Sequence, residues 1–165
     1  MSRRDEVIDA AERILEAEGF EALTMRRLGA ELSMRAPSLY KHVAGKPEVE
    51  AALQERALRG IGAALAAAGP TLGDLAAAYR AWSLAHPRLY ELSTRRPLQR
   101  DCLASGVEAA AAAPLLAAVG GDQAAARALW GLAHGLVDLE LAGRFPPDAD
   151  LSAAWSAAVH AFGGG

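Results

Sequence analysis

Apolar residues in this chain return every three or four positions, and that spacing dictates helices. Val7, Ile8, Ala11, Ile14 and Leu15 fall at i, i+1, i+4, i+7 and i+8, which is one face of an amphipathic helix. Gly19 ends it. Thr24 then stands in an N-cap position ahead of Met25, Leu28 and Leu32, a second short stripe. Ser33 and Met34 make a tight connection to a third short helix, from about Arg35 to Val43, with Pro37 in its first turn. Ala44-Gly45 breaks the pattern. Lys46-Pro47 opens a long fourth helix, with Val49, Leu53, Ala57, Ile61 and Leu65 on its buried side, and Gly69-Pro70 closes it.

The same reading continues to the end of the chain. Leu72, Leu75, Tyr79 and Trp82 mark a helix ending near His86-Pro87, and Leu89, Tyr90 and Leu92 a shorter one. A helix from roughly Leu98 to Val119 is predicted, kinked or split at Pro114, and Gly120-Gly121 is a break. Asp122 to Gly143 is apolar along Ala125, Leu129, Leu132, Leu136 and Leu139. Beyond Pro146-Pro147 a last helix carries Leu151, Trp155, Val159 and Phe162. Alanine and leucine, both helix formers, dominate, and β-branched residues are few. The fold class expected is all-α: an N-terminal three-helix helix-turn-helix domain over 1–46 and a helical ligand-binding and dimerisation domain over 47–165.

Charge limits the function. With a formal net charge of -3 and a pI near 5.8, bulk attraction to nucleic acid is excluded, so such binding must rest on a local patch. Between Ala22 and Lys46 stand Arg26, Arg27, Arg35, Lys41 and Lys46 against the single acid Glu31. The lone cysteine, Cys102, excludes a disulfide framework and is read as an inert buried thiol in a reducing cytoplasm. No apolar run resembles a signal peptide's core. The most apolar stretch, Ala124 to Phe145, carries Arg127, His134, Asp138, Glu140 and Arg144, which argues against a membrane span. His42, His86, His134 and His160 lack metal-ligand spacing, and no phosphate-cradling glycine loop or nucleophile elbow occurs. Neither an enzyme, a metal nor a cofactor is expected.

The segment "SMRAPSLYKHVAGK" carries the chemistry. Two short helices joined by a tight turn and braced by a preceding one form a helix-turn-helix. On a helical wheel Ala36, Leu39 and Val43 face inward, while Pro37, Ser38 and Lys41 face outward with Tyr40 to one side. Arg35 and Lys41 suit base edges or phosphates, and Ser38 suits a short polar contact. Ala36 and Pro37 suit the thymine methyl. Thr24, Tyr40 and His42 offer polar tips for phosphate oxygens. Lys46, at the start of the fourth helix, adds its charge to a positive dipole end.

Residues 5–53 resemble the DNA-binding region of the TetR family of bacterial transcriptional regulators. The resemblance runs through Ala10-Ala11, Gly19-Phe20, Thr24-Met25, Leu28-Gly29-Ala30-Glu31-Leu32, Ala36-Pro37-Ser38-Leu39-Tyr40-Lys41-His42-Val43 and Gly45-Lys46. It implies that the third helix reads the major groove, with DNA contacts from Thr24, Arg35, Ala36, Pro37, Ser38, Tyr40, Lys41, His42 and Lys46. The family usually has glycine at the turn, where this chain has Ser33. The later half resembles one family subgroup through Trp130 and His134-Gly135.

For the family at large, that half binds a small effector and forms a homodimer through its last two long helices, here about 122–143 and 149–162. Ala124, Ala128, Gly131 and Gly135 place small residues where helices of a dimer seam can approach closely, and the same pattern serves an internal core equally well. Trp82, His86, Tyr90, Trp130 and His134 are the candidate ligand-binding residues, each also readable as core, seam or helix end. The function implied is a ligand-responsive repressor binding a palindromic double-stranded DNA operator. The alternative is a helical dimer of the same fold that binds a protein or a small molecule without acting on DNA.

Overall fold

A computed structural model describes residues 2–163, the side chain of Phe162 lying outside the described residues. Among these residues there are helices and no strand: α1 (Arg3–Glu18), α2 (Met25–Glu31), α3 (Ala36–Leu39), α4 (Lys46–Ala67), α5 (Leu72–Ala85), α6 (Pro87–Arg95), α7 (Val107–Ala118), α8 (Gln123–Leu141) and α9 (Leu151–Gly163), with 3-10 turns at Phe20–Ala22 and Arg100–Cys102. The all-α expectation holds. No helix among the described residues is long and apolar enough to cross a membrane.

The chain divides into two compact units. The first joins Met1–Leu58 to His86–Val107, so α6 returns to the N-terminal helices. A reciprocal cap starts it: the Ser2 hydroxyl accepts from the Asp5 N–H at 3.1 Å, and the Ser2 N–H donates to the Asp5 carboxylate at 2.8 Å. The predicted stripe of α1 is buried, and α1 packs on α2 and α6. Leu89, Tyr90 and Leu92 of α6 are buried in the same core. Both ends of α6 are tied down by side chains. The Glu16 carboxylate accepts from the N–H groups of Arg88 at 3.2 Å and Leu89 at 2.9 Å, where a helix N-terminus favours an anion. At the other end Gln54, fully buried on α4, donates to the Leu92 and Pro97 carbonyls at 3.4 and 3.1 Å and accepts from the Gln99 N–H at 3.0 Å.

The second unit comprises Arg59–Ala85 and Glu108–Gly165, built on the mutual packing of α5, α8 and α9. Trp82 lies against the backbone of Gly60, where a Cβ would meet its indole ring at 2.8 Å. Arg80 forms a two-pronged ion pair with Glu140, Nε to Oε2 at 2.9 Å and Nη2 to Oε1 at 2.6 Å. That pairing holds the Glu140 carboxyl below its ordinary range.

Four expectations are corrected. The helix predicted from Leu98 begins at Val107, after Gly106 at φ 80, and Pro114 sits inside it without splitting it. Cys102 is exposed rather than buried, because residues 98–106 form a connection over the surface. Regular α3 stops at Leu39. It runs on to Val43 through turns that mix spacings: Lys41 and His42 donate three residues back, to the Ser38 and Leu39 carbonyls at 3.3 and 2.9 Å, and Val43 donates four back, to Leu39 at 3.2 Å. Along α8, Leu129 and Val137 are buried while Leu132 and Leu139 are exposed, since only one of its two apolar faces is covered within the unit.

Candidate nucleic-acid interface

Thr24 starts α2 as its N-cap, its hydroxyl oxygen accepting from the Arg27 N–H at 3.1 Å. The O–H hydrogen remains available to a further acceptor. α2 ends in a Schellman motif: the Met34 N–H donates to the Gly29 carbonyl at 2.8 Å and the Ser33 N–H to that of Ala30 at 3.2 Å. This puts Ser33 at φ 52, the only positive φ outside glycine among the described residues. Gly29 is buried, and a Cβ there would lie 2.9 Å from the Met34 carbonyl oxygen, so the turn closes tightly because Gly29 has none.

Past the turn, Leu39 and Val43 are buried and anchor α3, while Arg35, Pro37, Ser38 and Lys41 are exposed and Tyr40 is 52% exposed. His42 is half-buried. Ala36, expected to face inward, is exposed as well, because it stands at the first position of α3, ahead of the turn that packs. An exposed surface of cations, a phenol and small apolar groups thus lies on two buried anchors.

The cations divide by role. Arg27 is committed internally, to Glu18 at 2.7 Å and Glu31 at 2.9 Å. Those two bonds raise its already high pKa further, and the bond to Glu18 draws that carboxyl down. Arg26, Arg35 and Lys41 stand exposed. Lys46, half-buried at the start of α4, places its ammonium 3.9 Å from the centre of the Phe20 ring and 3.4 Å from the Phe20 carbonyl oxygen. The Arg96 guanidinium lies 3.9 Å from the same ring centre, and its Nε donates to buried Glu50 at 2.7 Å. Neither Phe20 nor Arg96 was expected near this site. Phe20 carried a signal, as the aromatic after Gly19, whereas nothing in the sequence points to Arg96. Glu48 reaches back to the Ala44 N–H at 2.7 Å and pairs with Arg4 at 3.2 Å, and its carboxyl is lowered by the first bond and then the second.

The five candidate ligand residues fall in different places. Tyr90 is fully buried in the first unit, and His86 precedes α6 there. Trp82 packs on Gly60 in the second unit. Trp130 is 51% exposed on α8 and stacks with His134, ring centres 6.0 Å apart and planes 19° from parallel. No group of metal-ligating side chains occurs among the described residues.

Residues 7–53 match the family model described as "Bacterial regulatory proteins, tetR family", and residues 72–162 match "Tetracyclin repressor-like, C-terminal domain". The chain is 33% identical over 154 residues to the HTH-type transcriptional regulator Rv0681 of Mycobacterium tuberculosis, across 85% of this chain and 71% of that protein. It is 35% identical over 112 residues to the HTH-type transcriptional repressor DrrR1 of Streptomyces coeruleorubidus, across 63% of this chain and 40% of that one. Among solved structures, the regulatory protein SCO4313 superposes with a TM-score of 0.84 at 25% identity, covering 98% of this chain and 95% of its own.

Proposed function

The chain belongs to the TetR family of DNA-binding transcriptional regulators, and from that premise we propose that it is a ligand-responsive repressor binding a palindromic operator as a homodimer. The observation that carries the reading is the exposed surface from Arg35 to Lys41, anchored from below by Leu39 and Val43. An α3 so anchored presents Arg35, Ala36, Pro37 and Ser38 to base edges. Thr24, Tyr40, Lys41, His42 and Lys46 fit the phosphates. Two copies would meet half-sites about 34–36 Å apart or a multiple of that.

Residues 1–46 are the reading part on this view, and 47–165 the part that pairs copies and receives an effector. The effector, a small molecule, lowers operator affinity by favouring a different spacing of the two heads. Trp82, His86, Tyr90, Trp130 and His134 are the side chains to test for it, by quenching of the tryptophan fluorescence. Cytoplasmic action at bacterial DNA follows from this role. Family membership leaves the alternative, a module without DNA function, with no observation in its favour.

The test is selection of bound duplexes from a random pool, repeated across a salt series. A palindromic consensus with a steep salt slope is expected. Arg35→Ala should then weaken binding by about 1–3 kcal/mol and relax the preference at one base position, while Tyr40→Ala weakens it evenly across sequences. Weak binding without sequence preference would overturn the reading.

A further inference from the structure

We propose that Phe20 is a positioning residue for the Lys46 phosphate contact, and that Arg96 holds the ring in place for that task; the inference rests on the reading of Lys46 given above. A lysine ammonium has three hydrogen-bond donors on a flexible stem. The Phe20 ring face, 3.9 Å away, and the Phe20 carbonyl, 3.4 Å away, engage it. The remaining donor capacity is left for an outside acceptor, on a side chain already ordered before DNA arrives.

Two cations against one ring repel each other, and the neighbouring charges show how this is offset. Arg96 is paired with Glu50 at 2.7 Å, so its charge is compensated and the uncompensated charge of the group stays on Lys46. Lys46, Glu50 and Gln54 stand at i, i+4 and i+8 on α4 and so share one face. Glu50 and Gln54 are two of the few buried polar residues. Gln54 bonds main-chain atoms of Leu92, Pro97 and Gln99, on both sides of Arg96. The order of support therefore runs from Gln54 to the segment 92–99, from that segment to Arg96, from Arg96 and Glu50 to the ring, and from the ring to Lys46.

The experiment is a double-mutant cycle on the selected operator across a salt series. It uses the full chain with Lys46→Ala, Phe20→Leu, Phe20→Tyr, Arg96→Gln and the pairwise combinations with Lys46→Ala. Lys46→Ala is expected to weaken binding about tenfold and to lower the salt slope by about one phosphate's worth. Phe20→Leu keeps apolar bulk but loses the ring face. It should weaken binding three- to tenfold in the wild-type background and have little further effect once Lys46 is alanine. Phe20→Tyr, which keeps the ring, should retain wild-type affinity. A loss from Phe20→Leu that is fully additive with Lys46→Ala, or no loss at all, overturns the inference while leaving the Lys46 contact standing. A Lys46→Ala variant with unchanged affinity and slope removes the contact itself, a distinct result. Should Phe20→Leu fail to fold, Arg96→Gln, on an exposed segment, runs the same cycle and is read the same way.

Discussion

Ser33 holds a left-handed backbone conformation at φ 52 with a side chain that disfavours it. Glycine would adopt the same turn freely, at some entropic cost in the unfolded chain. Ser33→Gly should therefore stabilise the protein by about 0.5–1 kcal/mol, seen as a higher urea midpoint at unchanged slope. An unchanged midpoint would mean the turn carries no strain. Gly29 is the converse case. Alanine there would gain helix propensity, yet its Cβ would press on the Met34 carbonyl from 2.9 Å. A net loss of about 1 kcal/mol is expected for Gly29→Ala in the same titration. Ser33 stands out in the sequence as an exception to the usual glycine. The role of Gly29 is visible only once Met34 has folded back on it.

Between elements, the ion pair of Arg80 with Glu140 clamps α5 to α8, with side-chain exposures of 30% and 15%. Glu140→Gln should cost about 1–2 kcal/mol at neutral pH, between the values typical of exposed and buried pairs. Because pairing lowers the folded-state pKa of Glu140, its contribution is whole above the ordinary value of 4.5 and is lost as pH falls through the lowered one. The gap between wild type and Glu140→Gln in urea unfolding should thus narrow from pH 7 toward pH 3. Periodicity and Gly/Pro stops made most helices legible in the sequence, because alanine and leucine propose a helix and little else competes. They failed at residues 98–106 for a tertiary reason. There the N–H groups of Gln99 and Ala104 are taken by the side chains of Gln54 and Glu55 from α4, at 3.0 and 2.9 Å, rather than by helical carbonyls. The outward face of α3 was legible from its wheel, since burial of Leu39 and Val43 fixes it. The grouping of Lys46, Phe20 and Arg96 was not, because it joins residues far apart in the chain.

For the molecule as a whole, α8 offers a face that its own unit leaves uncovered. Leu132 and Leu139 are exposed on the side that also carries Gly131 and Gly135, and apart from the helix's own backbone and the adjoining residues nothing lies within 4 Å of where a Cβ on either glycine would be. A second copy of the chain seated there would bury apolar surface at close helix approach. Leu139→Glu should convert a dimer to a monomer by light scattering at micromolar concentration and weaken operator binding by at least tenfold. A variant that stays dimeric would place the pairing surface elsewhere. The first unit has a consequence for how such regulators can be recombined. It is assembled from two stretches of chain, with Tyr90 fully buried among helices that precede it by dozens of residues. A reading head cut out at the end of residue 58 would leave behind the helix that fills its core. On the reading proposed above, a transfer between relatives that moves the N-terminal stretch and residues 86–107 together keeps that core intact, as does regrafting the few exposed side chains of α3 onto an intact host.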